Sequence, residues 1–383
     1  MQLKKTLIVV SFFVFTISMA GVGNIWSQSC TDENIDVAAL LQKASRSGVG
    51  TARVLVNEVA AVAGEKAIDE LRKFTDEKKY PDISGTVSVS LAKLGDDAAF
   101  SVIKENSRKK NEVYGRILTV VPILQNVGDE RAIRAVMEYL VENQDDKDVP
   151  VHSIAEGMNI IAQKRHVPKI PSRNGREKTD KEYINEWVQW WERNKDAPVG
   201  RPVYESVENP YLRCLARKVE WGIHGALLSI ANYGGAEAEA TLRKFPSPPP
   251  DAYNRAFGSF LGNLNVALAK VGDQQEFDKI VDDLISQPNH DNPFDKLRYI
   301  GGLRAVGALV DALGFIYDER SSGKDINKWW HKSVLNTLAR MVQNAPLGYG
   351  AELTEENYNI WREWWETKKD IAVIIPYNKQ QQR

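Results

Sequence analysis

Cysteine, histidine and net charge are all in short supply in this sequence. Only Cys30 and Cys214 occur in 383 residues, so there is no cysteine framework for zinc, and whether these two distant thiols pair is open. The fold has to be held by its core. The five His residues are scattered; His152 and Glu156 have the i, i+4 spacing of two ligands on one helix, but no third ligand stands at a motif spacing, and His152-Ser153 reads equally well as a helix start. Lys plus Arg number 50 against 51 Asp plus Glu, which excludes a polybasic nucleic-acid binder as the default reading. There is no phosphate-binding glycine loop, dinucleotide fingerprint, nucleophile elbow or zinc-protease motif. Carboxylate pairs such as Asp96 and Asp97 stand where helix caps stand, so no catalytic, cofactor-binding or metal-ligating residue is assigned. Alternating apolar runs long enough for a sheet are also missing.

What is present begins with a leader. Lys4 and Lys5 precede an apolar run from Leu7 to Ala20 that is shorter than the ~20 residues of a membrane span, the pattern of a secretory signal peptide. Small residues allow cleavage at 20/21 or at 29/30, and residues 1–29 are set aside from the fold. A cut before Cys30 invites a lipoprotein reading, but Ser27-Gln28-Ser29 lacks the apolar residue that a lipid-modification site carries three positions before its Cys. No later run is long enough to span a membrane, so the expected location is the periplasm or the exterior.

The rest of the chain repeats itself. Leu91-Ala-Lys-Leu-Gly-Asp96, Gln125-Asn-Val-Gly-Asp129 and Leu268-Ala-Lys-Val-Gly-Asp273 each join an apolar helical pattern to a second amphipathic one. Gly can end the first helix in the left-handed conformation, and Asp can cap the second. Gly64 and Gly235 mark looser versions. The steps from Gly64 to Gly95 to Gly128 are those of one helical pair in an α-solenoid. The second helices carry one apolar stripe each: Ala132, Ile133, Val136, Met137 and Leu140, and Phe277, Ile280, Val281 and Leu284.

A larger period lies above this one. Val89, Leu91, Ala92, Lys93, Gly95, Asp96, Phe100 and Ile103 reappear in order and spacing as Val266, Leu268, Ala269, Lys270, Gly272, Asp273, Phe277 and Ile280. Leu-Arg-Lys-Phe ends at Phe74 and again at Phe245. Trp187, Trp190, Trp191 and Glu192 correspond to Trp361, Trp364, Trp365 and Glu366. The expected organisation is therefore a first module over 30–200, a Pro-punctuated connector over 201–217, a second module over 218–372 and a tail over 373–383.

The Leu-x-x-Leu-Gly-Asp-type turn between alanine-rich helices resembles HEAT-like repeats, particularly the short form named after phycobilisome lyases. The resemblance implies an all-α fold, an α-solenoid of helical pairs wound as a right-handed superhelix with an inner face that binds protein or peptide. It defines no catalytic residue, since the same repeats occur in chromophore lyases and other enzymes. Asp97, Glu130 and Gln274 stand where many family members have Pro, and the Trp-rich helices lie outside the repeat consensus.

Two features lie beyond the repeat grammar. Trp-x-x-Trp-Trp sets three indoles on one helical face, which reads as a closing helix that seals each module; the competing reading is an aromatic platform for a sugar or peptide. The stretch Lys164 to Lys178, with Arg165, Lys169, Arg173 and Arg176 against Glu177, reads as a solvated linker or as a site for an anionic partner. The leading expectation is an exported scaffold for a protein or peptide partner, with no nucleic acid, cofactor or membrane span. The rivals are an enzyme or lyase with its site in the groove between modules, and a carbohydrate or cell-wall binder using aromatic residues.

Overall fold

The structure is a computed structural model that describes residues 30, 35–107, 127–143, 179–196, 202–245, 255–286, 293–322 and 328–380. Among these residues every regular element is a helix, and the one β-type contact is an isolated antiparallel bridge between Val342 and Ile374. The helices are α1 (Val37–Ser45), α2 (Val49–Ala63), α3 (Ile68–Arg72), α4 (Ser84–Lys93), α5 (Asp97–Ser107), α6 (Glu130–Glu142), α7 (Asp180–Asn194), α8 (Pro210–Glu220), α9 (Ala226–Tyr233), α10 (Gly235–Arg243), α11 (Arg255–Val271), α12 (Gln274–Ser286), α13 (Pro293–Ile300), α14 (Gly302–Ser321), α15 (Lys328–Met341), α16 (Glu355–Lys368) and α17 (Tyr377–Gln380).

The repeated turn forms as its residues dictate. Gly95 takes φ 94°, which lets the Asp96 N–H reach back to the Leu91 carbonyl at 3.0 Å and close α4. The Asp96 carboxylate then accepts from the Ala99 N–H at 2.9 Å and opens α5. Gly272 repeats this at φ 118°, with Asp273 N–H to Leu268 O at 3.0 Å and Asp273 Oδ1 accepting from Glu276 N–H at 3.1 Å. Asp129 caps α6 in the same way through the Ala132 N–H.

Longer-range contacts repeat too. Arg131 of α6 donates to the Ala92 carbonyl and to Asp97, with its guanidinium 4.8 Å from the Phe100 ring. In the second copy Arg304 of α14 donates to Ala269 and Gln274 and lies 3.9 Å from the Phe277 ring. The acceptors and rings are the matched residues of the self-alignment. Each arginine fastens a later helix to an earlier turn by sharing a backbone carbonyl from the last turn of the helix that ends there. Lys93 and Lys270 also correspond, each donating to a backbone carbonyl and stacking on an aromatic ring, Trp221 and Tyr299 respectively.

The chain separates into two compact units, and the division falls elsewhere than the sequence period does. The first holds the described residues up to Tyr233 together with Arg243–Phe257; the second holds Gly234–Leu242 and the chain from Gly258 onward. Within the first, one core joins α1, α2, α3 and α4 with Trp221, and another joins the end of α4 with α5, α6 and α7. Helix α8, although it spans the expected connector and the start of the second copy, packs on α2. Cys30 is disulfide-bonded to Cys214 of α8, and the buried Lys218 ammonium meets the buried Glu58 carboxylate at 3.0 Å. Within the second unit α14 packs on α15 and α16, around Leu309, Leu313, Leu338 and Trp361.

Candidate functional site

The two Trp-x-x-Trp-Trp helices, α7 and α16, carry the same motif in different surroundings. Both begin at a threonine cap: Thr179 accepts from Glu182 N–H before α7, and Thr354 from Asn357 N–H before α16. In α7 the apolar face is covered throughout, with Tyr183, Ile184, Trp187, Trp190 and Trp191 all buried. In α16 Trp361 is fully buried, while Tyr358, Trp364 and Trp365 are half-buried.

One substitution between the copies accounts for much of this. Three residues after the clamp Arg131, Arg134 lays its guanidinium 5.6 Å from the Trp191 ring. Three residues after the corresponding Arg304 stands Gly307, and a Cβ built there would lie 3.0 Å from Trp365 Cζ2. The first copy thus shields its third indole with an arginine, whereas the second seats the indole against bare backbone. Gly314 receives Tyr358 in the same manner, with Oη 3.1 Å from the position of a Cβ. Gly307 and Gly314 are two helical turns apart, as are Trp365 and Tyr358 in reverse order, so α14 and α16 run antiparallel in register.

The rings organise around this contact. Tyr358 stacks on Tyr317 of α14 at 4.8 Å between centroids and 15° between planes, with the Arg362 guanidinium 5.5 Å from the Tyr358 ring. Trp364 meets Trp361 edge-on at 5.5 Å. Phe315 leaves 39% of its surface exposed. The border is acidic: Asp311 and Asp318 follow Gly307 and Gly314 along one stripe of α14, and Glu355 and Glu366 flank the aromatic stripe of α16. All four are exposed and make no ion pair among the described residues. The arrangement is a set of half-buried rings edged with exposed carboxylates.

The other sequence-derived candidates fall differently. Arg165, Lys169, Arg173 and Arg176 lie outside the described residues, as do His152 and Glu156. Among the described residues no group of His, Cys, Asp and Glu could hold a metal ion. The Glu58–Lys218 pair was not anticipated, since 160 residues separate its members. Its only sequence signal is a lysine among Leu212, Leu215, Ala216 and Val219 in the apolar stripe of α8. Burial pushes the Lys218 amine below its ordinary value, opposed by the adjacent Glu58 carboxylate. With none of its surface exposed, that amine fastens α8 to α2 and offers no route to a substrate. The α14 glycines were legible as a seven-residue step inside an apolar helix, but nothing local says which rings fill them.

Compared with known proteins, the chain matches no family model, no curated sequence and no solved structure.

Proposed function

We propose that the chain is an exported, tandemly duplicated HEAT-like repeat scaffold that binds a protein or peptide partner, and that the aromatic face of α14 and α16 is where it binds. The observation that carries this reading is the unequal fate of one duplicated motif. A closing helix that served stability alone would be covered in both copies, as α7 is; α16 keeps Trp364 and Trp365 half-buried, and Phe315 of the neighbouring α14 is exposed. Aromatic side chains at a solvent boundary supply much contact area at small conformational cost, which is why they concentrate at binding hot spots. The solenoid reading is supported by the recurring Gly-Asp turns and by the arginine clamps that tie a later helix to an earlier turn. Export is supported by the leader pattern and by the Cys30–Cys214 bond, which suits an oxidising compartment and occupies the thiol that a lipid would need.

A photo-crosslinking residue placed at Phe315 in the exported chain tests the reading. A discrete adduct at Phe315, missing when the same residue is placed at Gln189 on the solvent side of α7, is the expected outcome. Equal adduct patterns at the two positions, or none at Phe315, count against a partner on this face. A Trp fluorescence response to oligosaccharide that Trp365→Ala abolishes would redirect the face to carbohydrate.

A further inference from the structure

The chemistry around the open face of α16 also says what kind of segment it takes. From Gly307 to Glu319 α14 carries acids and no base, and from Glu355 to Glu366 α16 carries acids and one base, Arg362. That guanidinium already lies over the Tyr358 ring. Asp311, Asp318, Glu355 and Glu366 are exposed, and among the described residues none of them has a partner cation. The half-buried rings of Trp364 and Trp365 carry negative π-faces on the same helix pair as these carboxylates, while the Tyr358 ring is already met by Tyr317 and Arg362. Both features favour the same ligand charge: an ammonium or guanidinium gains attraction from the ring and from the rim, while a carboxylate meets repulsion from both. A neutral sugar would use the rings but leave the carboxylates unmatched.

Resting on the scaffold reading above, we infer that the partner docks through a lysine- or arginine-bearing segment whose cationic side chains lie over the α16 rings and whose charge is matched by Asp311, Asp318, Glu355 and Glu366. The apolar stems of such side chains cover ring surface while their heads stay at the carboxylate rim.

The test uses the full mature chain and three dye-labelled peptides of one length and apolar frame, bearing lysine, glutamine or glutamate, followed by anisotropy. The lysine peptide is expected to bind, more weakly as salt rises, with the glutamate peptide failing to bind. Asp311→Asn with Asp318→Asn should weaken it by about tenfold or more without changing the melting temperature, since both side chains are exposed and unpaired. Trp365→Phe should retain binding that Trp365→Ala loses. No binding of the lysine peptide, equal binding of all three, or indifference to the Asn substitutions overturns the inference. Equal binding of all three that Trp365→Ala abolishes overturns the charge preference and leaves the aromatic docking face standing. A missing adduct at Phe315 counts against a partner on this face independently of any peptide result.

Discussion

Single residues show how much of this fold rests on satisfying helix ends and buried charges. Asp96 is held below the ordinary carboxylate value, first by the Ala99 N–H that it caps and further by Arg72, against an opposing contribution from burial. Its folded-state value is therefore the lower one, so its contribution is complete above the unfolded value near 4 and is lost as pH falls through the folded value. Asp96→Asn should cost about 1 kcal/mol at neutral pH and flatten the acid limb of the stability curve, measured by urea unfolding between pH 2 and about 7. The Glu58–Lys218 pair makes a sharper case. Glu58→Ala strands a buried ammonium and should cost about 3–5 kcal/mol, whereas Glu58→Leu with Lys218→Met removes both charges and should come close to the parent. Equal losses in both variants would show that the pair contributes net stability beyond compensating its own desolvation.

At the scale of elements, one helix motif has two energetic roles. Trp191 is buried under Arg134 and within a continuous core, so Trp191→Ala should cost about 3–5 kcal/mol in denaturant unfolding. Trp365 is half-buried, and Trp365→Ala should cost markedly less because less surface is returned to water. A larger loss at Trp365 would mean that α16 is chiefly a seal. Gly307→Ala has a specific signature: the new Cβ, 3.0 Å from the indole, forces the ring outward, so the Trp emission should shift while helix content stays level. The turns were legible because Gly and Asp act locally, within one helix end. Arg131 and Arg304 were not, because their acceptors are backbone carbonyls, and every helix end exposes several.

Across the whole molecule, the period written in the sequence and the compact units of the structure do not coincide. The expected connector and the residues that open the second copy, Lys218 and Trp221 among them, belong to the first unit. A chain ending at residue 200 should therefore unfold at lower denaturant than one ending at 257, since it loses Trp221 from the core, leaves Glu58 without Lys218 and has no Cys214 for Cys30. Reduction of the intact chain should lower stability by about 2–4 kcal/mol through the freed loop between the two Cys, followed by thermal melting with and without a dithiol. The sequence by itself determined the helical class and the capped turns, because apolar period and cap chemistry act over a few residues. Tertiary structure alone decided that Lys218 would find Glu58, that Cys30 would bond Cys214, and that the Trp motif would close in α7 and stay half-open in α16. Each of those outcomes depends on which distant surface arrives against a side chain, and burial is a property of that surface as much as of the residue.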